Sequence, residues 1–142
     1  MSKKVGVVSC SGEELAGGTL ARLATRKMLE ERRPDETVTI CLPLFLAGGP
    51  EERAFAKAYP TITVDGCDKR CAYLATERLS GKVNASIVVS EVIGAEEACA
   101  GPLSSHQLTA KHAELVEKIS DAIEASYALV ERQSSAKRIP LR

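Results

Sequence analysis

Four short runs rich in valine, isoleucine and threonine punctuate this chain, and a stretch with helical spacing follows each of them. The runs are Lys4–Ser9, Thr37–Ile40, Thr61–Val64 and Ala85–Ile93. Short β-branched runs bounded by turn residues read as strands. Strands that alternate with helices argue for a parallel sheet covered by helices on both faces. Right-handed crossovers then bring the C-terminal end of every strand to one edge of the sheet. That single consequence governs where this chain can build a site.

The helical stretches have recognisable signals. Ser11 and Glu14 have the spacing of a capping box, and Leu20, Leu23, Ala24 and Met28 recur at helical intervals up to a stop at Arg32–Asp35. Leu42 to Gly49 reads as an apolar loop, and Pro50 opens a short helix. A third helix runs from Ala72 to Ser80, with Asp68 as its N-cap and Gly81 as its C-cap. Gly94 to Ser105 reads as a loop or short helix. The last helix is predicted to start at Ser104, boxed with Gln107, and to reach about Gln133. Leu108, Leu115, Ala122 and Leu129 lie on one stripe of it, with Ile119 between. At 1.5 Å per residue it spans roughly 40 Å, so part of it is expected to overhang or to pack on a second copy as a homodimer. The expected architecture is a single three-layer α/β domain over residues 1–133, Rossmann-like or flavodoxin-like. It has a mostly parallel four-stranded sheet in the order 2-1-3-4, a long C-terminal helix, and a flexible tail over 134–142.

Composition removes several function classes. The formal net charge is zero and there is no tryptophan. Neither a basic footprint nor an aromatic platform for nucleic acid is present. No run reaches the length of a membrane span, and the start of the chain is too short in apolar residues for a signal peptide. The expected setting is the cytoplasm. There, five cysteines in 142 residues read as ligands, reactive thiols or core residues rather than as a disulfide framework.

The parallel topology gives four of those thiols a common address. Cys10, Cys41 and Cys67 each follow the C-terminal end of a strand, and Cys71 lies one helical turn beyond Cys67. In open sheets this edge is where sites are built. Four thiolates are the donor set of a tetrahedral soft-metal site, zinc above all, although iron and copper(I) accept the same ligands. Gly66 allows a sharp turn there, and Lys69 and Arg70 read either as a solvated first turn or as a source of positive potential that stabilises thiolates at Cys67 and Cys71. Cys99 reads as a structural core residue. His106 and His112 fall near or on the last helix, away from the edge. Two other readings of the same residues stay open: a thiol redox enzyme in which Cys67 and Cys71 attack and resolve, and a phosphocysteine carrier at Cys10.

The first loop, Cys10 to Thr19, resembles the cysteine loop of low-molecular-weight tyrosine phosphatases in placement. Those enzymes need an arginine six residues after the cysteine, where this chain has Ala16, so that activity is excluded. The loop also resembles that of sugar-phosphotransferase IIB subunits, but Glu13 and Glu14 would repel a phosphate. A broader resemblance rests on Cys10-Ser11-Gly12, Cys41-Leu42, and Asp65-Gly66-Cys67 with Cys71-Ala72. In these the chain resembles the DGC-domain family over roughly residues 4 to 93. That resemblance implies zinc binding through Cys10, Cys41, Cys67 and Cys71. Many members have a second cysteine in the first loop. Glu13 stands there in this chain, and its carboxylate is a further candidate ligand. The resemblance implies a site and no reaction.

Overall fold

The computed structural model describes residues 3–137. The expected sheet is present. It has four strands, all parallel, in the order β2-β1-β3-β4. In chain order the elements are β1 (Val5–Ser9), α1 (Ala16–Lys27) with a π-helical last turn (Met28–Arg32), β2 (Thr37–Val38), the one-turn helices α2 (Leu44–Ala47), α3 (Pro50–Arg53) and α4 (Phe55–Ala58), β3 (Thr61–Asp65), α5 (Cys71–Leu79), β4 (Ala85–Val88), α6 (Val89–Ile93), α7 (Ala95–Ala98) and α8 (Ala110–Lys137).

Side chains alternate across the sheet because successive Cβ atoms of a strand point to opposite faces. On one face Val5, Val7, Ile62 and Val64 pack under Leu20, Ala24 and Met28 of α1 and Ile119 and Ile123 of α8. On the other, Val8 joins Phe45, Phe55 and Ala72, beneath α2, α4 and α5. Two cores on two faces make the three layers. Gly6 occupies this second face because Phe55 lies over it: a Cβ there would stand 2.6 Å from a ring carbon.

Several predicted boundaries move. β2 ends at Val38 instead of Ile40, although Thr39 still reaches β1 by donating its hydroxyl to the Val7 carbonyl at 2.6 Å. β4 ends at Val88, and the rest of its predicted run, Val89–Ile93, is α6. A continuous apolar run does not distinguish a strand from a buried helical turn. α1 starts at Ala16, with no side-chain cap, so Ser11 and Glu14 form no capping box. The predicted loop Leu42–Gly49 holds α2.

The long helix differs most from its prediction. It starts at Ala110, not Ser104, and its first turn is closed by Thr109 and His112. The Thr109 N–H donates to His112 Nδ1 at 3.0 Å. The buried stripe is Leu115, Ile119, Ile123, Tyr127 and Val130, whereas Leu108 and Leu129 are exposed. The seven-residue repeat drawn from sequence drifts off the true inner face of a 3.6-residue helix. This inner stripe packs within the chain, on α1 and the sheet, so a homodimer would have to use the outer face of α8. The helix also continues through Lys137, beyond the expected start of the tail; residues 138–142 lie outside those described.

Charges fasten α8 to the end of α1. Glu117 meets Lys27 and Arg32, each at 2.5 Å, and Glu124 meets Arg33 at 3.1 Å. Tyr127 lies under the Arg33 guanidinium, 4.5 Å from the ring centre, and its hydroxyl donates to Glu36 at 3.1 Å. Burial, with that bond to a carboxylate, pushes the Tyr127 phenol up to about 12. A folded-state value raised above the ordinary one, about 10, adds stability below pH 10 and withdraws it as pH rises towards 12. Absorbance titration should therefore show a tyrosinate step near pH 12 that disappears in Tyr127→Phe. Persistence of the step in that variant would assign it elsewhere.

Candidate metal centre

Two loops build the site: the one after β1 and the one after β3. They meet because β1 and β3 are neighbours, and the ladder between them continues one residue further, where the Cys10 N–H donates to the Val64 carbonyl at 3.0 Å. The crossover from β1 leads to the β2 side of the sheet and the one from β3 leads to β4. The gap between these loops is thus the switch point of the topology, where open sheets bind their ligands.

What holds the loops together is glycine. Gly12 has φ +63, and a Cβ on it would stand 2.3 Å from the Gly18 Cα. One on Gly18 would stand 2.0 Å from the Gly12 Cα, and one on Gly66 would stand 2.5 Å from the Gly18 nitrogen. Three backbone segments therefore touch with no side chain between them. Gly17 and Gly18 sit in the first turn of α1, where glycine is otherwise unfavourable by about 1 kcal/mol relative to alanine. Gly66 serves this close approach rather than a left-handed turn. The residue with a left-handed backbone in the second loop is Arg70, at φ +53.

Asp65 is buried, and its carboxylate accepts from the Ala72 N–H at 2.6 Å and the Tyr73 N–H at 3.1 Å. Asp65, not Asp68, therefore caps α5, reaching across the turn from the end of β3. Burial pushes its carboxyl above the ordinary carboxylate range, against the pull of those two N–H groups and Arg70. Arg70 is anchored on both sides: its guanidinium covers the Tyr73 ring at 3.9 Å and donates to Ser86 Oγ at 2.8 Å. That clamp offsets the roughly 1–2 kcal/mol a left-handed non-glycine residue costs. It also turns the chain so that Cys67 and Cys71 come to the same side.

Cys10, Cys67 and Cys71 line one cavity of about 280 Å³, with Glu13, Asp65 and Arg70. Cys10 is half-buried, and its Sγ accepts the Gly66 N–H at 3.3 Å. Burial pushes the Cys10 thiol up. The Gly66 N–H counters this in part, and the nearby Asp65, Cys71 and Cys67 add to the rise. Negative charge on these groups is therefore mutually unfavourable, which is the electrostatic setting a bound cation relieves. Cys41 is exposed and lies on a second cavity, which adjoins the first and shares Cys10, Ser11, Glu13 and Leu42 with it. The early end of β2 puts Cys41 in the turn before α2 instead of on the strand end.

The four expected thiols thus come to one edge of the sheet, three on one cavity and one next door. Among the described residues, no three His, Cys, Asp or Glu side chains stand close enough together to hold a metal ion. Cys99 follows α7 and is exposed, not a core residue, and it lines neither cavity. Lys69 and Arg70 both line the thiol cavity. Sequence reasoning missed the glycine contact and the Asp65 cap. The signals were present: two adjacent glycines inside a helical pattern, and an aspartate at a strand end facing a helix start.

A family model described as the DGC domain matches residues 6–111, and the chain belongs to that family. The match extends past β4 and α7 to the first turn of α8, beyond the span visible from the cysteine motifs. No curated protein and no solved structure matches the chain.

Proposed function

We propose that this member of the DGC-domain family binds a thiophilic metal ion, zinc, between the loops after β1 and β3. Cys10, Cys67 and Cys71 would serve as thiolate ligands, with Cys41 or Glu13 completing the set. One observation carries the reading: three thiols from loops distant in sequence line a single small cavity at the switch point of the sheet. Their donor type fits zinc, and soft thiolates disfavour magnesium or calcium. Their spacing asks for side-chain movement, because no three donors stand at binding distance. Cys71 is exposed and Cys67 partly so, and both can swing towards Cys10. The domain buries two apolar cores without needing a metal staple, and Cys71 and Cys41 are exposed to solvent. A metal that exchanges, in a carrier or sensor, suits this better than a structural ion. Unpaired thiols suit a reducing cytoplasmic setting.

Elemental analysis of protein purified under reducing conditions should find about one metal per chain, as a single four-ligand site requires. Absence of zinc, iron and copper, with no uptake of any when added, would overturn the proposal. A readily reversed Cys67–Cys71 disulfide in such metal-free protein would then favour the thiol redox enzyme.

A further inference from the structure

The second cavity, beside the thiols, is the larger of the two at about 460 Å³. That is within the usual size of a small-molecule site. Its walls have distinct characters. α1 supplies Arg22 and, three or four residues from it on the helix surface, Thr19, Thr25 and Arg26. The segment after β2 supplies Ile40, Leu42 and Pro43. Cys10 and Cys41 lie at the sheet edge of this cavity.

One observation points to an anionic guest. Arg22 has its guanidinium held only loosely, 3.7 Å from a Glu13 carboxylate that is itself 78% exposed. Arg26, by contrast, is already engaged through two nitrogens with Glu30. A guanidinium with a weak, solvated partner beside a cavity remains free to take a carboxylate or phosphate in a paired geometry.

We infer that this cavity binds a small organic anion, its carboxylate or phosphate on Arg22 and its apolar body against Leu42 and Pro43, next to the thiols. Glu13 is then the resident competitor that the ligand displaces from Arg22. The inference goes beyond metal binding and does not require it.

The test is amide-resolved NMR titration of the full chain, pretreated with chelator, using citrate, inorganic phosphate and acetate as probes. At least one probe should give saturable shifts confined to Ser9–Ser11, Thr19–Arg26 and Thr39–Pro43. Arg22→Gln should weaken that binding at least tenfold, Arg22→Lys should weaken it less, and Glu13→Gln should tighten it severalfold. Retention of the remaining spectrum shows that each variant is folded. Shifts that fail to saturate or scatter over surface lysines, or an Arg22→Gln affinity equal to that of the parent, would overturn the inference. The same titration on Cys71→Ser separates the two proposals. An unchanged anion response there leaves anion binding standing even if metal binding fails.

Discussion

Gly18→Ala is expected to destabilise the domain by at least about 3 kcal/mol, the upper range for forcing a methyl into a packed site. In a domain of this size that lowers the thermal midpoint by roughly 10 °C. The size follows from what the new methyl meets. A Cβ at Gly18 would lie 2.0 Å from the Gly12 Cα, and both partners are backbone. A side chain can rotate out of a clash, but a backbone moves only if its loop moves. Here the loop after β1 is also tied to β3 by the Cys10 N–H bond to Val64. Gly66→Ala, 2.5 Å from the Gly18 nitrogen, should behave alike. Gly101→Ala is the control, since a Cβ there meets nothing within 4 Å, and its midpoint should stay within about a degree. Thermal unfolding followed by circular dichroism measures all three. A Gly18→Ala midpoint close to that of Gly101→Ala would mean that the loops separate easily and that glycine contact does not hold the site.

The same contact shows where a sequence reading runs out. The strand order and the parallel sense were legible, because four apolar runs separated by helical stretches leave few topologies. The edge address of Cys10 and Cys67 followed directly, since each stands just after a strand whose end the topology fixes. Cys41 shows the limit of that logic. Thr39 and Ile40 have strand composition, yet β2 is an edge strand that pairs over only Thr37 and Val38, and two residues of slack put its thiol on the adjoining cavity. The stripe on α8 shows another. Leu115 and Ile119 of the expected stripe are buried, but Leu108 and Leu129 are exposed, and burial continues through Ile123 and Tyr127, which face α1 and the sheet. Asp65 and the glycines were missed for a different reason. Adjacent glycines in a helical pattern and an aspartate at a strand end are local signals that do not name their partners, and the contact of Gly12 and Gly18 with Gly66 joins segments far apart in sequence.

If the proposed centre is right, replacing Cys10 with serine should weaken zinc binding by at least 100-fold, more than a supporting residue of a metal site typically contributes. Serine is a hard and rarely ionised donor, so it does not substitute for a thiolate. Cys10 is also the thiol common to both cavities and the one whose Sγ is fixed by the Gly66 N–H. Its loss removes the least mobile ligand. Cys67→Ser and Cys71→Ser should show comparable losses, because both line the same cavity. Cys41→Ser and Glu13→Gln compete for the fourth position, and only the true ligand of the two should fall as far. Cys99→Ser should change affinity little, since Cys99 lines neither cavity. Competition against a chromophoric zinc chelator ranks the variants on one scale, and their thermal midpoints without metal show whether each remains folded. A Cys99→Ser protein that loses zinc, beside a Cys10→Ser protein that keeps it, would place the metal away from the β1–β3 switch point and end the proposal.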